Sequence, residues 1–220
     1  MKSMGFFDEC LGQRIEFDIA GDGKHAGFLV DAGTDIIVVY KEAKFYYFPL
    51  NHVRHLTHQS NSEGDDSVPE TTFAEKISYP SILRNAKGFF CEICLSGHHK
   101  MDGYMADVQT DYFVFVTPLG KTLLIPQFHL KWISPFANDT KPYSLSLGQV
   151  ALQPQRTSFA PTFAEQLKQE EGRVITLDEG LIDGMTGLLQ KFEDRILEIV
   201  DVDEKKHYFH VQHVKNVCVR

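Results

Sequence analysis

A set of glycine and histidine positions recurs three times along this chain and constrains its fold more than any other feature. Two glycines fifteen residues apart open each repeat, and a histidine follows the second glycine after 25 or 26 residues. These positions are Gly12, Gly27 and His52; Gly88, Gly103 and His129; and Gly172, Gly187 and His213. Because the second glycines lie 76 and 84 residues apart, the pattern predicts three small units in tandem, joined by linkers.

The residues between these anchors alternate as strand residues do. In the first repeat Ile15, Phe17 and Ile19 alternate with charged residues, which is typical of a strand with one solvated face. Further strands are predicted at 26–31, 35–40 and 44–50, with a fifth after the turn that holds His52. A short helix is predicted before each set of strands, and Thr162 with Glu165 forms a predicted capping box in the third.

Five short strands bury their apolar faces by closing into a small barrel, which also removes open sheet edges. We therefore predict an all-β fold of three tandem five-stranded barrels, each preceded by a short helix. The predicted boundaries are 1–58 for the first repeat, 59–78 for an acidic linker, 79–134 for the second repeat, 135–161 for a Pro-rich linker, and 162–220 for the divergent third repeat.

Composition narrows the classes of protein that this chain can belong to. Hydrophobic residues make up 43% and no apolar run is long enough for a membrane span. The net charge of −8 disfavours a wide nucleic-acid interface, which needs clustered Lys and Arg. The first ten residues do not form a signal peptide, so we expect synthesis in the cytoplasm. The four cysteines are too few and too scattered for a disulfide scaffold, and we expect reduced thiols.

The order of helix, strands and histidine turn resembles the Sm-like fold, a small barrel of the SH3-like kind. A bacterial RNA-binding member of that fold has a Tyr-Lys-His turn where this chain has Leu50-Asn51-His52. The rhythm of the repeats is similar to the amino-terminal region of the spore coat protein B family of Bacillus. The matching stretches are FYYFPLNHVRHL, LLIPQFHLKWIS and YFHVQHVKNV.

This resemblance implies a role in sporulation and a location in the spore coat. It also implies strand edges that pair with neighbouring barrels, because the last two strands of Sm-like folds do so. The first functional hypothesis is therefore a structural, non-enzymatic protein that associates with itself or with other coat proteins, without cofactor or metal. On this hypothesis, exposed aromatic side chains such as Tyr46 and Tyr47 contribute to the contact, and their replacement by Asp reduces self-association.

The second hypothesis is an Sm-like protein that binds single-stranded RNA. Its candidate residues are the turn histidines and the base two positions after each: His52 and Arg54, His129 and Lys131, His213 and Lys215. The alternative is structural, with each histidine bonding to backbone in its own turn. A third hypothesis, a small-ligand module at a junction between barrels, has no specific residues in its favour.

Two further groups of residues invite a chemical interpretation. Cys91 and Cys94 followed by His98 and His99 have zinc-like spacing, but residues three apart on a strand point to opposite faces. We therefore predict no metal site. Asp31 with Asp35 and Asp107 with Asp111 suggest paired carboxylates for acid–base catalysis. We favour stabilisation of the turn between the second and third strands of the repeat, and predict no catalytic residues.

Overall fold

The structure is a computed structural model that describes residues 7–58, 77–96, 99–136, 143, 158–181 and 184–219. Strands predominate in these ranges, so the prediction of a largely β chain is confirmed. The first five strands are β1 Arg14–Ile19, β2 Gly23–Ala32, β3 Ile36–Lys41, β4 Lys44–Pro49 and β5 Val53–His58. The next five are β6 Phe90–Ser96, β7 His99–Val108, β8 Tyr112–Val116, β9 Thr122–Pro126 and β10 Trp132–Pro135. The last five are β11 Val174–Leu177, β12 Met185–Glu193, β13 Ile196–Val200, β14 Lys206–His210 and β15 Val217–Val219.

Helices are short in the described part of the chain. They are α1 Tyr79–Ala86 and α2 Phe163–Gln169, together with the 3-10 turns Asp8–Cys10, Leu50–His52, Gln127–His129 and Val211–His213. The capping box predicted at α2 is confirmed, since Thr162 and Glu165 bond reciprocally. No described helix has the length and apolarity that crossing a bilayer requires. Most of the two predicted linkers, and residues 1–6, which precede the first set of strands where a short helix is predicted, lie outside the described residues.

The chain divides into two compact units. The first comprises Met1–Ala86, Cys91–Lys100 and Leu130–Phe136. Its strands are antiparallel and follow the order β6-β10-β4-β3-β2-β1-β5. The core includes Ile15, Phe17 and Phe48 from the first repeat and Cys94 and Trp132 from the second. This unit therefore combines all strands of one repeat with two strands of the next.

The second unit comprises Lys87–Phe90, Met101–His129 and Ala137–Arg220. Its strand order is β14-β13-β12-β11-β15-β9-β8-β7, again antiparallel. Tyr112 and Leu124 of the second repeat share its core with Phe163, Leu189 and Val217 of the third. Apolar side chains from two repeats are thus buried together in this unit as well.

Close packing explains the second glycine of each repeat. A Cβ added to Gly27, Gly103 or Gly187 would lie 2.5 Å from a side-chain carbon of the neighbouring strand. The backbone oxygen of the following residue in that strand would be only 2.5–2.8 Å away. The first glycines, at 12, 88 and 172, have φ of 75°, 89° and 79°, which L side chains rarely adopt. The two glycines of each repeat are therefore explained by two different steric requirements, positive φ at the first and close packing of strands at the second.

Candidate assembly interface

Within each unit, a fifth strand of one repeat pairs with the fourth strand of the repeat before it. In the first unit β10 pairs with β4, and Ile133 is opposite Tyr47. In the second unit β15 pairs with β9, and Val217 is opposite Leu124. These fifth strands also pair with the first strand of their own repeat, β6 and β11 respectively. Each junction between repeats is therefore an antiparallel pairing of a fourth strand with a fifth strand.

The repeated histidine and base meet at the first of these junctions. The ammonium of Lys131 donates to Nδ1 of His52, 3.1 Å away. His52 ends a 3-10 turn and is only 6% exposed, so the two residues face one another inside the first unit. The structure thus brings together a histidine of the first repeat and a base of the second. The His-aliphatic-base pattern therefore has a structural use between repeats.

The other candidate residues occupy varied positions. His129 is buried at the end of its own 3-10 turn, whereas His213 is exposed. Arg54 is exposed, with its guanidinium 3.7 Å from the Asp18 carboxylate. The backbone N–H of Lys215 donates to Oδ1 of Asp178, 2.6 Å away. These residues do not converge on one site, and each belongs to the turn or fifth strand of its own repeat.

Neither of the two candidate tyrosines is exposed, as an aromatic surface patch would require. Tyr46 is 2% exposed and its ring packs edge-on against Trp132, 5.2 Å between centroids. The ammonium of Lys41 lies over the same ring at 4.6 Å. Tyr47, on the other face of β4, is half-buried opposite Ile133. Strand alternation places Tyr46 in the core, and replacing it by Asp would disturb the fold rather than a surface.

Two strands, β14 and β5, stand at the two ends of the order of all 15 strands and have an open side in the part of the chain that the structure describes. In the first unit β5 pairs with β1 and stands at the end of the strand order. In the second unit β14 pairs with β13 and stands at the end of that order. One is a fifth strand of a repeat and the other is a fourth strand. These are the two strand types that pair at the internal junctions.

Side chains at matched positions are covered in the first two repeats and uncovered in the third. Tyr47, Leu124 and Tyr208 each lie five residues before the histidine of their turn. Leu124 is fully buried and Tyr47 is half-buried, but Tyr208 is 64% exposed. The fifth strands show the complementary difference, because β5 has no buried residue whereas most of β10 and β15 is buried.

The paired aspartates have structural partners. Oδ1 of Asp31 accepts from the N–H of Ala32 at 2.8 Å, beside a bulge in β2, and Asp107 accepts from Val108 at 2.9 Å in β7. Oδ1 of Asp35 accepts from the N–H of Tyr79, the first residue of α1, at 2.8 Å. These contacts agree with structural roles for the pairs.

The same helix contact recurs at the next junction but its acceptor is missing in the third repeat. Oδ1 of Asp111 accepts from the N–H of Phe163, the first residue of α2, at 2.8 Å. A carboxylate there is favoured by the helix dipole. The third repeat has Arg195 at the matched position. A helix placed against this turn would therefore meet a cation instead of a capping carboxylate.

Asp22 is one of several buried polar residues that the sequence pattern did not single out. Its carboxylate accepts from Nε1 of Trp132 at 2.8 Å, from Nε2 of His25 at 2.8 Å, and from Sγ of Cys94 at 3.3 Å. Burial opposes its ionisation, but these hydrogen bonds outweigh burial and hold the Asp22 pKa well below its usual range. Because Asp22 lies between two glycines in a hairpin turn, its sequence context resembles that of an ordinary turn residue.

The thiols of Cys91 and Cys94 are buried and not disulfide-bonded. Burial raises the pKa of each to about 12, and the Asp22 charge contributes at Cys94. Among the described residues no three His, Cys, Asp or Glu side chains are grouped so as to hold a metal ion. His98 lies outside those residues.

Comparison with known proteins gives relatives without a described activity. Residues 162–217 match a family model described as the YwrJ third domain. The whole chain is also similar to the uncharacterized protein YwrJ of Bacillus subtilis (strain 168), with 29% identity over 229 residues. That similarity covers 99% of each chain.

Proposed function

We propose that this chain is a non-enzymatic structural protein, similar to a spore coat component, that assembles through open strand edges and exposed aromatic side chains. In this proposal each set of five strands is a small Sm-like barrel. The pairing of the fifth strand with the first in all three repeats supports closure. The start of the matched third-domain model at residue 162 supports the division into three.

The observation that carries the proposal is the uncovered edge of β14. Its Tyr208 is 64% exposed at a position where the first two repeats are covered by a following fifth strand. Open edges with exposed apolar side chains are sites for strand addition. A chain that carries both a fourth-strand edge and a fifth-strand edge has two interfaces, so weak contacts can combine into a larger assembly.

An enzymatic role is not part of this proposal. The Asp22 carboxylate, whose pKa is lowered, is buried and held by three donors in the first unit. Cys91 and Cys94, with their raised pKa, stay in the thiol form at neutral pH, and the thiol is a poor nucleophile. These groups serve the fold.

Sedimentation velocity of the full chain over a range of concentrations tests the proposal. We expect the mean sedimentation coefficient to increase with concentration, and Tyr208→Asp to reduce the increase because it puts a charge on the edge. Val202→Asp is the matched control, since Val202 is 94% exposed in the turn before β14 and outside the edge. A wild-type chain that stays strictly monomeric at high concentration would contradict the proposal.

A cavity in the second unit favours single-stranded RNA binding as a second candidate function. It has a volume of about 340 Å³, and its lining includes Phe128, His129, Phe192 and Arg195. The ring of Phe128 is 49% exposed, and bases stack on such rings. The net charge of −8 argues against a wide interface, so contact would be confined to this cavity.

Electrophoretic shift of a short single-stranded RNA, at a stated low salt concentration, tests this second function. We expect Phe128→Ala and Arg195→Ala to weaken a shift made by the wild type, with Val202→Ala as a surface control. If the wild type gives no shift at low salt, where phosphate contacts are strongest, RNA binding is removed as a function of this chain.

A further inference from the structure

We propose that the open β14 edge binds the open β5 edge of a second copy of this chain, head to tail, with Tyr208 opposite Leu56. This inference rests on the proposed function, and it adds the identity of the partner and the register of the contact. Both the partner and the register are inferred from the strand pairings between repeats inside the chain.

The register follows from positions counted from each turn histidine. At the internal junctions, the residue five before one histidine is opposite the residue four after the next histidine. Tyr47 and Ile133 form one such pair, and Leu124 and Val217 the other. Tyr208 lies five before His213, and Leu56 lies four after His52. The same rule therefore places Tyr208 of one chain opposite Leu56 of the next.

The neighbouring pairs of the ladder follow from the β9–β15 junction. There Leu123 is opposite Cys218 and Thr122 is opposite Val219. The matched residues of the open edges are His207 opposite Thr57 and Lys206 opposite His58. None of these places two fixed like charges opposite one another, and Lys206 keeps its 2.6 Å ion pair with Glu198 of its own hairpin. Antiparallel pairing of β5 with β14 thus has no built-in charge clash.

A histidine–base contact accompanies the strand pairing at the first internal junction. Lys131, two residues after its turn histidine, bonds to His52 of the preceding repeat. Arg54 occupies the Lys131 position in the first repeat, and His213 occupies the His52 position in the third. Both are exposed. Head-to-tail pairing therefore brings the Arg54 guanidinium to the exposed imidazole of His213 in the preceding chain.

A head-to-tail contact joins two different surfaces, so its geometry does not limit the assembly to a dimer. Two β5 edges or two β14 edges could instead pair symmetrically, but the internal junctions always combine a fourth strand with a fifth. The contact between chains also differs from the internal junctions in one respect. Arg195 replaces the carboxylate that caps the following helix, so this contact has fewer stabilising groups and is expected to be reversible.

Cysteine cross-linking of the full chain tests the register. Leu56→Cys and Tyr208→Cys are prepared separately, each with Cys218→Ser to remove a half-buried thiol. Directly opposite residues of antiparallel strands are close enough for a disulfide. Under mild oxidation we expect a cross-linked dimer when the two variants are mixed, and none with either variant alone. Leu56→Cys mixed with Val202→Cys is the control and should not cross-link.

The outcomes separate this inference from the proposed function. Cross-linking of Leu56→Cys alone would show symmetric β5 pairing and overturn the head-to-tail contact. Concentration-dependent sedimentation without cross-linking in the mixture would overturn the register while leaving self-association intact. A monomeric wild type would overturn both.

A second measurement does not depend on disulfide geometry. The Tyr208→Asp chain keeps its β5 edge but carries a charge on its β14 edge. When a small proportion of this variant is mixed with wild type, we therefore expect shorter assemblies, because growth ends where a variant chain presents its β14 edge. We expect its own self-association to be weaker by about tenfold or more. Equal shortening by Val202→Asp would contradict the role of the β14 edge.

Discussion

Nε1 of Trp132 donates a hydrogen bond of 2.8 Å to Oδ2 of Asp22, which joins the last strand of the second repeat to the first hairpin turn of the first. The same carboxylate accepts from His25 and Cys94. Because Cys94 and Trp132 belong to the second repeat, one buried aspartate holds two repeats together in the first compact unit. Asp22 is therefore expected to contribute strongly to stability.

Asp22→Asn should lower the free energy of unfolding by about 2 kcal/mol, because an amide cannot accept from all three donors and leaves one of them unsatisfied. Urea unfolding followed by Trp132 fluorescence measures the change, since Trp132 is the sole tryptophan of the chain and is 2% exposed. Asp18→Asn is the matched control. Asp18 makes only a surface ion pair with Arg54, and its loss should cost less than about 1 kcal/mol.

Acid should remove the contribution of Asp22. Its pKa is lowered in the folded chain, so below about pH 4 the unfolded chain takes up a proton that the folded chain does not. The stabilisation is complete above the unfolded pKa and decreases as the pH falls toward the folded one. The stability difference between wild type and Asp22→Asn should therefore narrow between pH 5 and about pH 2.5. A constant difference would contradict the depressed pKa.

Gly103→Ala should destabilise the second unit by about 2 kcal/mol or more, because the new methyl would meet the Phe115 ring and the backbone oxygen of Val116 at 2.5 Å. Gly120→Ala provides a comparison, since a Cβ there has open space although φ is +78°. We expect thermal denaturation to show a larger fall in Tm for Gly103→Ala. Equal falls would mean that the close approach relaxes easily.

Cys91 and Cys94 should resist alkylation in the folded chain, since both are buried and burial raises the pKa of each to about 12. Iodoacetamide labelling at pH 8 followed by peptide mass spectrometry should show Cys218 modified first. Urea should expose the two buried thiols together, because both lie in β6. Rapid labelling of Cys91 in native buffer would be inconsistent with this packing.

Asp111→Ala should destabilise the second unit by about 1 kcal/mol, since the N–H of Phe163 loses its acceptor at the start of α2. Asp203→Ala removes an exposed carboxylate from the β13–β14 turn and should have little effect. Unfolding by urea, followed by circular dichroism, compares the two. If Asp203→Ala is the more damaging, the helix contact has no stabilising role.

Periodicity and glycine spacing were sufficient to predict a largely β chain and to locate most strands, because alternation of apolar residues is a local property. Contacts between repeats were harder to predict. Nothing in the spacing of Lys131 indicated that it bonds to His52, 79 positions earlier, and Asp22 resembled an ordinary turn residue. Tyr208 was part of a recognised motif. Its exposure, however, is set by whether another strand pairs with the outer side of β14, and the sequence of β14 itself does not indicate this.

The sharing of β6 and β10 with the first repeat has a consequence for any attempt to divide the protein. A fragment that ends after β5 would lack Cys94 and Trp132, so Tyr46 would lose its edge-on contact with Trp132 and Asp22 two of its donors. Single repeats cut at their sequence boundaries are thus expected to aggregate or unfold rather than to behave as independent domains. The duplicated segments have become mutually dependent, and the smallest portion that keeps a complete core extends beyond one repeat.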